Sequence, residues 1–267
     1  MPMARTDPTW QPPTVAAADS PRVRTISLGD LRDVFGRGVD DFRAMPRHVL
    51  FLGLIYAVVC LMLVGFTFGR DLIPLVFPMI AGFALLGPFA AVGLYELSRR
   101  REQGADTSWW HMFAVFSSPS ARPLLTLGAL LLVAFLAWLM AAQAIYAATF
   151  GETTFQAGPF LDQLFTTAHG LTLVVVGNIV GGLFALVAFA TTVVSFPMLV
   201  DRKVSVATAV GTSYRAVLAN PVPMLAWGLI VVAALVVGSL PFFVGLAVVL
   251  PVLGHATWHL YKKLVEA

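Results

Sequence analysis

Charge is what this sequence has least of. Only 12% of its 267 residues are Asp, Glu, Lys or Arg, while 58% are hydrophobic. A water-soluble domain carries about 25% charge, so a typical soluble enzyme is excluded, and the high apolarity excludes a disordered chain. Cysteine is scarcer still. Cys60 stands alone, which excludes a disulfide framework within the chain and any cysteine-based zinc or iron–sulfur site. The phosphate-binding P-loop, the Gly-x-Ser-x-Gly elbow, the His-Glu-x-x-His zinc motif and the dinucleotide fingerprint are all missing. No acid, base or arginine lies deep in an apolar segment, where proton and ion pathways usually carry them. No catalytic constellation is visible, and the chain is read as a non-enzyme.

What is present is a set of long apolar runs. Segments 49–69, 72–95, 123–151, 170–200 and 216–254 contain no Asp, Glu, Lys, Arg or His. A helix crossing a bilayer needs about 20 such residues. The last run has 39 and breaks at Gly238-Ser239-Leu240-Pro241, where proline cannot continue the preceding helix. Six spans follow, at about 48–69, 72–97, 123–149, 169–200, 221–238 and 241–261. The fold class is an all-α, polytopic membrane protein, with a flexible tail over 1–25 and a membrane domain over 26–265.

The few charges fix an orientation. Lys and Arg gather on the cytoplasmic side of membrane proteins. Six spans place 16 of the 17 basic residues on one side and leave only Arg70 on the other. Both termini are therefore expected in the cytoplasm. The net charge of +3 reads as topology and affinity for anionic lipid rather than as a nucleic-acid signal. The first 25 residues hold five prolines and no apolar core for a signal peptide. A bacterial inner-membrane protein is the simplest setting.

Three stretches on the cytoplasmic side have amphipathic helical spacing. One is Leu28, Leu31, Phe35, Val39 and Phe42, with Ser27 as its cap. Another is Trp109, Trp110, Phe113 and Phe116 after Ser108, and the third is Val206, Val210, Tyr214 and Val217 after Ser205. Each precedes a proline and then a span. Ala44, Pro46, Leu50, Gly53, Leu54 and Ile55 match Ala219, Pro221, Leu225, Gly228, Leu229 and Ile230, six identities at a constant offset of 175. Three parallel units are expected, each an interfacial helix, a span outward and a span back. Tyr95, Trp109, Trp110, Tyr214 and Trp258 are placed in the interfacial aromatic belt. Pro74, Pro78, Pro88, Pro197 and Pro251 predict kinks in the return spans. Gly177, Gly181 and Gly182 form a small-residue face.

Chemistry-bearing side chains are few. His255 and His259 lie on one face of the sixth span. Two imidazoles at that spacing can contribute to a metal, copper or haem site, with His48 and His111 as possible further ligands and His169 at the wrong end. Interfacial histidines bound to backbone or headgroups are the plainer reading, so no cofactor is expected. Glu96 precedes Arg99 and Arg100 by three and four residues. Together with Asp201 and Arg202 they form a docking or headgroup cluster, beside Trp109 and Trp110. The plainer reading is an ion pair of Glu96 with Arg99 or Arg100 in its own helix, and an interhelical Glu96–Arg202 or Asp201–Arg99 pair is the alternative.

Three motifs carry a resemblance. Gly87-Pro88 leads into Gly93-Leu94-Tyr95-Glu96-Leu97-Ser98-Arg99-Arg100; the others are Phe196-Pro197-Met198-Leu199-Val200-Asp201-Arg202 and Leu253-Gly254-His255-Ala256-Thr257-Trp258-His259-Leu260-Tyr261. Over roughly residues 25–265 the chain resembles the bacterial integral-membrane family called domain of unknown function 2189. The resemblance brings no established activity. Some members carry the label of cytochrome c oxidase subunit, which implies an accessory or assembly role rather than a catalytic one. The expected partners are the bilayer and a membrane protein or a second copy. The alternatives are a carrier or channel for a small or lipidic solute, and a haem- or metal-handling protein.

Overall fold

The computed structural model describes residues 21–45, 58, 59, 61, 62, 65, 76–151 and 157–266. Most of the tail, most of the first expected span, Arg47, His48, Arg70 and Pro74 lie outside them. The described residues are helical throughout, with no strand beyond an isolated antiparallel bridge between Val23 and Val265.

The chain order is α1 (Leu28–Ala44), α2 (Val76–Leu85), α3 (Gly87–Ala90), α4 (Val92–Glu102), α5 (His111–Ala114), a 3-10 turn (Val115–Ser117), α6 (Ala121–Phe150), α7 (Ala157–Thr166), α8 (Ala168–Thr192), α9 (Ser195–Asp201), α10 (Val206–Ala219), α11 (Pro221–Ser239) and α12 (Leu246–Leu264). Among the described residues three stretches are long and apolar enough to cross a membrane: Ala121–Phe150, Ala168–Asp201 and Pro221–Ser239. At 1.5 Å per residue the 30 residues of α6 reach about 45 Å, well beyond a hydrocarbon core of about 30 Å. Their flanks are exposed leucine, valine and isoleucine, the pattern of a surface that meets lipid.

The third, fourth and fifth expected spans fall on these three stretches. The third and fifth match α6 and α11 within two residues at either end. The fourth bends between α8 and α9 at Val193-Val194, four residues before Pro197, whose missing N–H and ring oppose a straight helix. The described part of the second divides into α2, α3 and α4, with turns at Leu86 and Ala91 around Pro88. The sixth begins later than expected, at Leu246. Residues 240–245 form the turn, with Phe242 and Phe243 at φ 50° and 64°. Helix α7 lies between the third and fourth expected spans, where the sequence has no span-length apolar run.

Helices α1 and α10 bury an unexpected face. In α1 the buried residues are Leu31, Val34, Gly38 and Asp41, continued by Met45, while Leu28 and Phe35 stay exposed. In α10 they are Ala209, Thr212, Ser213 and Ala216, continued by Asn220, while Tyr214 is exposed. Small and polar residues face inward because the backbones come close. A Cβ built on Gly38 falls 2.6 Å from Ala256 Cβ and 2.7 Å from Ala256 N. Small side chains permit that approach and bulky ones do not. The middle amphipathic stretch is not one helix: Trp109 and Trp110 sit in a turn, and α5 has four residues.

Packing is cyclic in its neighbours. Helix α1 packs on α12, α10 on α8 and α9, and α5 on α4, while α4 also packs on α9 and α12. The core there holds Tyr95, Phe196, Met198, Trp227, Trp258 and Tyr261. Tyr95 and Trp258, expected in the interfacial belt, are buried at 2% and 0% exposure, whereas Trp109 and Trp110 are exposed. Of the three-glycine face, Gly181 meets Trp138 while Gly177 and Gly182 face open space.

Candidate functional site: a polar cluster joining three helices

The sequence places His255 and His259 one turn apart on α12, and the fold brings α1 and α4 against that face. Asp41 comes from α1 and is only 2% exposed. An ionised carboxylate buried this deeply costs several kcal/mol unless it is paired and hydrogen-bonded. Here it is both. Its Oδ2 lies 2.5 Å from Ser98 Oγ and 3.0 Å from His259 Nε2, and its Oδ1 pairs with the Arg101 guanidinium. Burial pushes the Asp41 carboxyl up, but the His259 and Ser98 hydrogen bonds and the nearby imidazoles outweigh it and hold the group down at about 2.

Proton positions follow from the donors available. Asp41 as a carboxylate only accepts, so the single Ser98 hydroxyl proton goes to Asp41. His255 Nδ1, 2.7 Å from Ser98 Oγ, must then donate to Ser98. This tautomer is assigned from the network. The result is a directed chain, His255 Nδ1–H to Ser98 to Asp41, with His259 Nε2–H donating to the same oxygen. The lone pair of neutral His255 rests on Nε2, which is buried and has no hydrogen-bond partner among the described residues. On the outer side of His259, Nδ1 lies 3.6 Å from Glu102 Oε1, and Glu102 is 35% exposed.

One nitrogen of each expected metal ligand is thus engaged, His255 Nδ1 by Ser98 and His259 Nε2 by Asp41. Among the described residues no group of three or more His, Cys, Asp or Glu is arranged to hold a metal ion. His48 lies outside the described residues, and His111 is engaged elsewhere, 3.0 Å from Asp106 Oδ2. Ser98 has 0% exposure and gives its proton to Asp41 rather than to an imidazole, so it is a hydrogen-bond bridge and not a nucleophile.

Two further clusters lie nearby. Glu96, 2% exposed, accepts from Arg99 and Arg100, each at 2.8 Å. Asp201 Oδ2 accepts from Tyr261 at 2.7 Å, and Arg202 Nε donates to the same Tyr261 hydroxyl at 3.0 Å. The interhelical Glu96–Arg202 and Asp201–Arg99 pairs do not form. Glu96 is saturated within its own helix, and Asp201 is taken by Tyr261, Lys262 and Arg202. The hydrogen bonds Arg99 donates to Glu96 raise its pKa, and the nearby Asp201 charge adds to them. The aromatic residues beside this cluster form an exposed patch, with Trp109 and Trp110 rings 5.7 Å apart and Phe113 6.2 Å from Trp109. Buried Met112 and Val115 anchor that loop from below.

The chain ends tie into the same region. Arg24 N–H donates to Leu264 O at 2.8 Å and Glu266 N–H to Arg22 O at 3.1 Å. Lys263 bonds Asp30 at 2.6 Å and Asp33 at 2.9 Å, which pulls both carboxyls down and raises the lysine. Asn220 accepts from Ile26 N–H at 2.7 Å and donates to Arg24 O at 3.0 Å. Sequence sets Arg101 in an arginine cluster suited to anionic lipid and gives Asp41, Ser98 and Asn220 no site role. The signal for Asp41 was an acid on a face that also carries Gly38, and it was hidden because α1 has a competing apolar stripe.

Residues 76–201 match the family described as "Predicted integral membrane protein (DUF2189)". The resemblance read from the motifs is shown over that segment. It holds Glu96, Ser98, Arg99, Arg100, Arg101, Glu102 and Asp201, while Asp41, Arg202, His255 and His259 come from outside it. No curated protein and no solved structure matches the chain. That segment is thus similar to a predicted integral membrane protein, and the described residues are helical.

Proposed function

We propose that this is a non-enzymatic, multi-pass membrane scaffold that works by packing against partners and lipid. The observation that carries this reading is the state of its polar side chains. Asp41 and Asp201 are spent on holding helices to one another at the basic end, and Glu96 on the arginines of its own helix. What the described helices offer outward is mostly apolar.

In the same reading the chain has six spans in three parallel units, each led by an interfacial helix, with both termini in the cytoplasm of a bacterial inner membrane. Three facts support the repeat. Both α1 and α10 stop at residues 175 apart, Ala44 and Ala219, just before a proline. Their caps share a rare conformation, Met45 at φ −128°, ψ 45° and Asn220 at φ −132°, ψ 53°. Four of their buried positions also coincide at that offset: Val34 with Ala209, Gly38 with Ser213, Asp41 with Ala216, and Met45 with Asn220. In this reading the leading helix of each unit packs on the return helix of the one before, with α1 closing the ring on α12. Association with a respiratory oxidase is the most specific version and rests on the family resemblance alone. No resident cofactor belongs to this reading.

The test is purification from native membranes in mild detergent, followed by identification of co-purifying subunits. A stable membrane-protein partner or a homo-oligomer supports the scaffold. A lone protein that passes small solutes across liposomes contradicts it, and a visible chromophore or bound metal lost in His255→Ala favours the haem or metal alternative.

A further inference from the structure

Between α6 and α8 runs an apolar groove of about 380 Å³, lined by nine residues, of which only Thr191 is polar. Its floor is sealed: Leu127, Leu131 and Ala188 are 0%, 3% and 7% exposed. Its rims are Leu130, Leu183 and Val187, at 54%, 58% and 58%. Both walls belong to stretches long and apolar enough to cross a membrane. One end is closed by Phe184, whose ring packs 5.8 Å from that of Trp138. The other end, toward Asp201, is polar. There Thr191 Oγ1 donates to Val187 O at 2.7 Å, and the Tyr214 hydroxyl lies 3.0 Å from Thr191 Oγ1 and donates to it. The Tyr214 oxygen keeps its lone pairs for a further donor.

We propose that this groove binds one acyl chain of a bilayer lipid, with the lipid's polar head at the Thr191–Tyr214 end. A slot that is apolar along its length and polar at one mouth matches an amphiphile, and its volume lies in the range of small-molecule sites. From Phe184 to Thr191 the slot follows seven residues of helix, about 10 Å, so it takes the head-proximal half of a chain and leaves the rest in the bilayer. A water-soluble ligand finds almost no polar contact there. The sealed floor separates the site from ordinary lipid-facing surface, because a chain seated there meets α6 and α8 at once.

This proposal rests on the membrane-spanning reading, and the experiment separates the two. The full chain is reconstituted in nanodiscs of phosphatidylethanolamine and phosphatidylglycerol, transferred to mild detergent and examined by native mass spectrometry. One lipid retained per chain is expected. Ala134→Phe, which fills the groove, reduces the retained fraction at least tenfold. Leu136→Phe, on the exposed side of the same helix, leaves it unchanged. The pair Thr191→Val with Tyr214→Phe weakens retention while the elution volume on size exclusion stays that of the parent. Absence of bound lipid in the parent, full retention in Ala134→Phe, or a protein held in the groove instead overturns the proposal. Separately, a chain released from membranes by alkaline carbonate contradicts the spanning reading itself.

Discussion

Asp41 is the residue on which the basic end depends. Removing it strands the His259 donor in a nearly dry site and leaves Arg101 without its partner. Arg101 is 41% exposed and recovers some water, whereas His259 does not. A hydrogen bond to a charged group contributes about 1.5–3 kcal/mol, so Asp41→Ala is expected to destabilise by about 2–4 kcal/mol. Thermal unfolding in detergent measures this, and a loss below about 0.5 kcal/mol rejects the network as a structural latch. The pH dependence has a definite sign. The folded-state Asp41 carboxyl is held down at about 2, below its usual 3.8. Its contribution is therefore complete above about pH 4 and is lost as pH falls toward 2. Asp30 and Asp33 shift in the same direction, so the informative quantity is a difference. Between pH 5 and 2.5 the parent should lose more stability than Asp41→Asn. Equal losses place the acid sensitivity elsewhere.

At the scale of the element, the joint between α1 and α12 is steric as well as polar. Gly38 has no room for a side chain against the Ala256 backbone, so Gly38→Leu must push the two helices apart. That breaks the Asp41 contacts with the same stroke. Gly36, two residues away, has nothing within 4 Å of a built Cβ. Gly36→Ala is expected to stabilise α1 by about 0.5–1 kcal/mol through helix propensity. Opposite signs from these two glycines, read by thermal unfolding, are the expected outcome, and destabilisation by both contradicts the assignment of faces. The helical sequence made α6, α11 and the Ser27 and Ser205 caps legible, because apolar runs and capping oxygens act locally. The facing of α1 and α10 was not legible. Periodicity marks the apolar stripe, but in a membrane protein that stripe need not turn inward. Here the small and polar residues do so, because close packing and hydrogen bonding hold helices together where lipid competes for apolar contact.

For the whole molecule, the chemistry-bearing pair was found and its partners were missed. His255 and His259 stood out by spacing within one helix. Asp41 is 218 residues from His259, and no local pattern reports so distant a contact. The charge census did indicate the end of the molecule at which these groups would meet. The central claim is that all the polar clusters lie on one side of a membrane. It is tested by placing single cysteines in a Cys60→Ser background at Asp40, Gln103, Lys203 and Lys262, and a fifth at Asp162, all exposed. Each variant is then treated in intact and permeabilised cells with a membrane-impermeant maleimide. The account predicts that the first four label only after permeabilisation and that the Asp162 position labels in intact cells. Labelling of any of the four from the same side as the Asp162 position would contradict it.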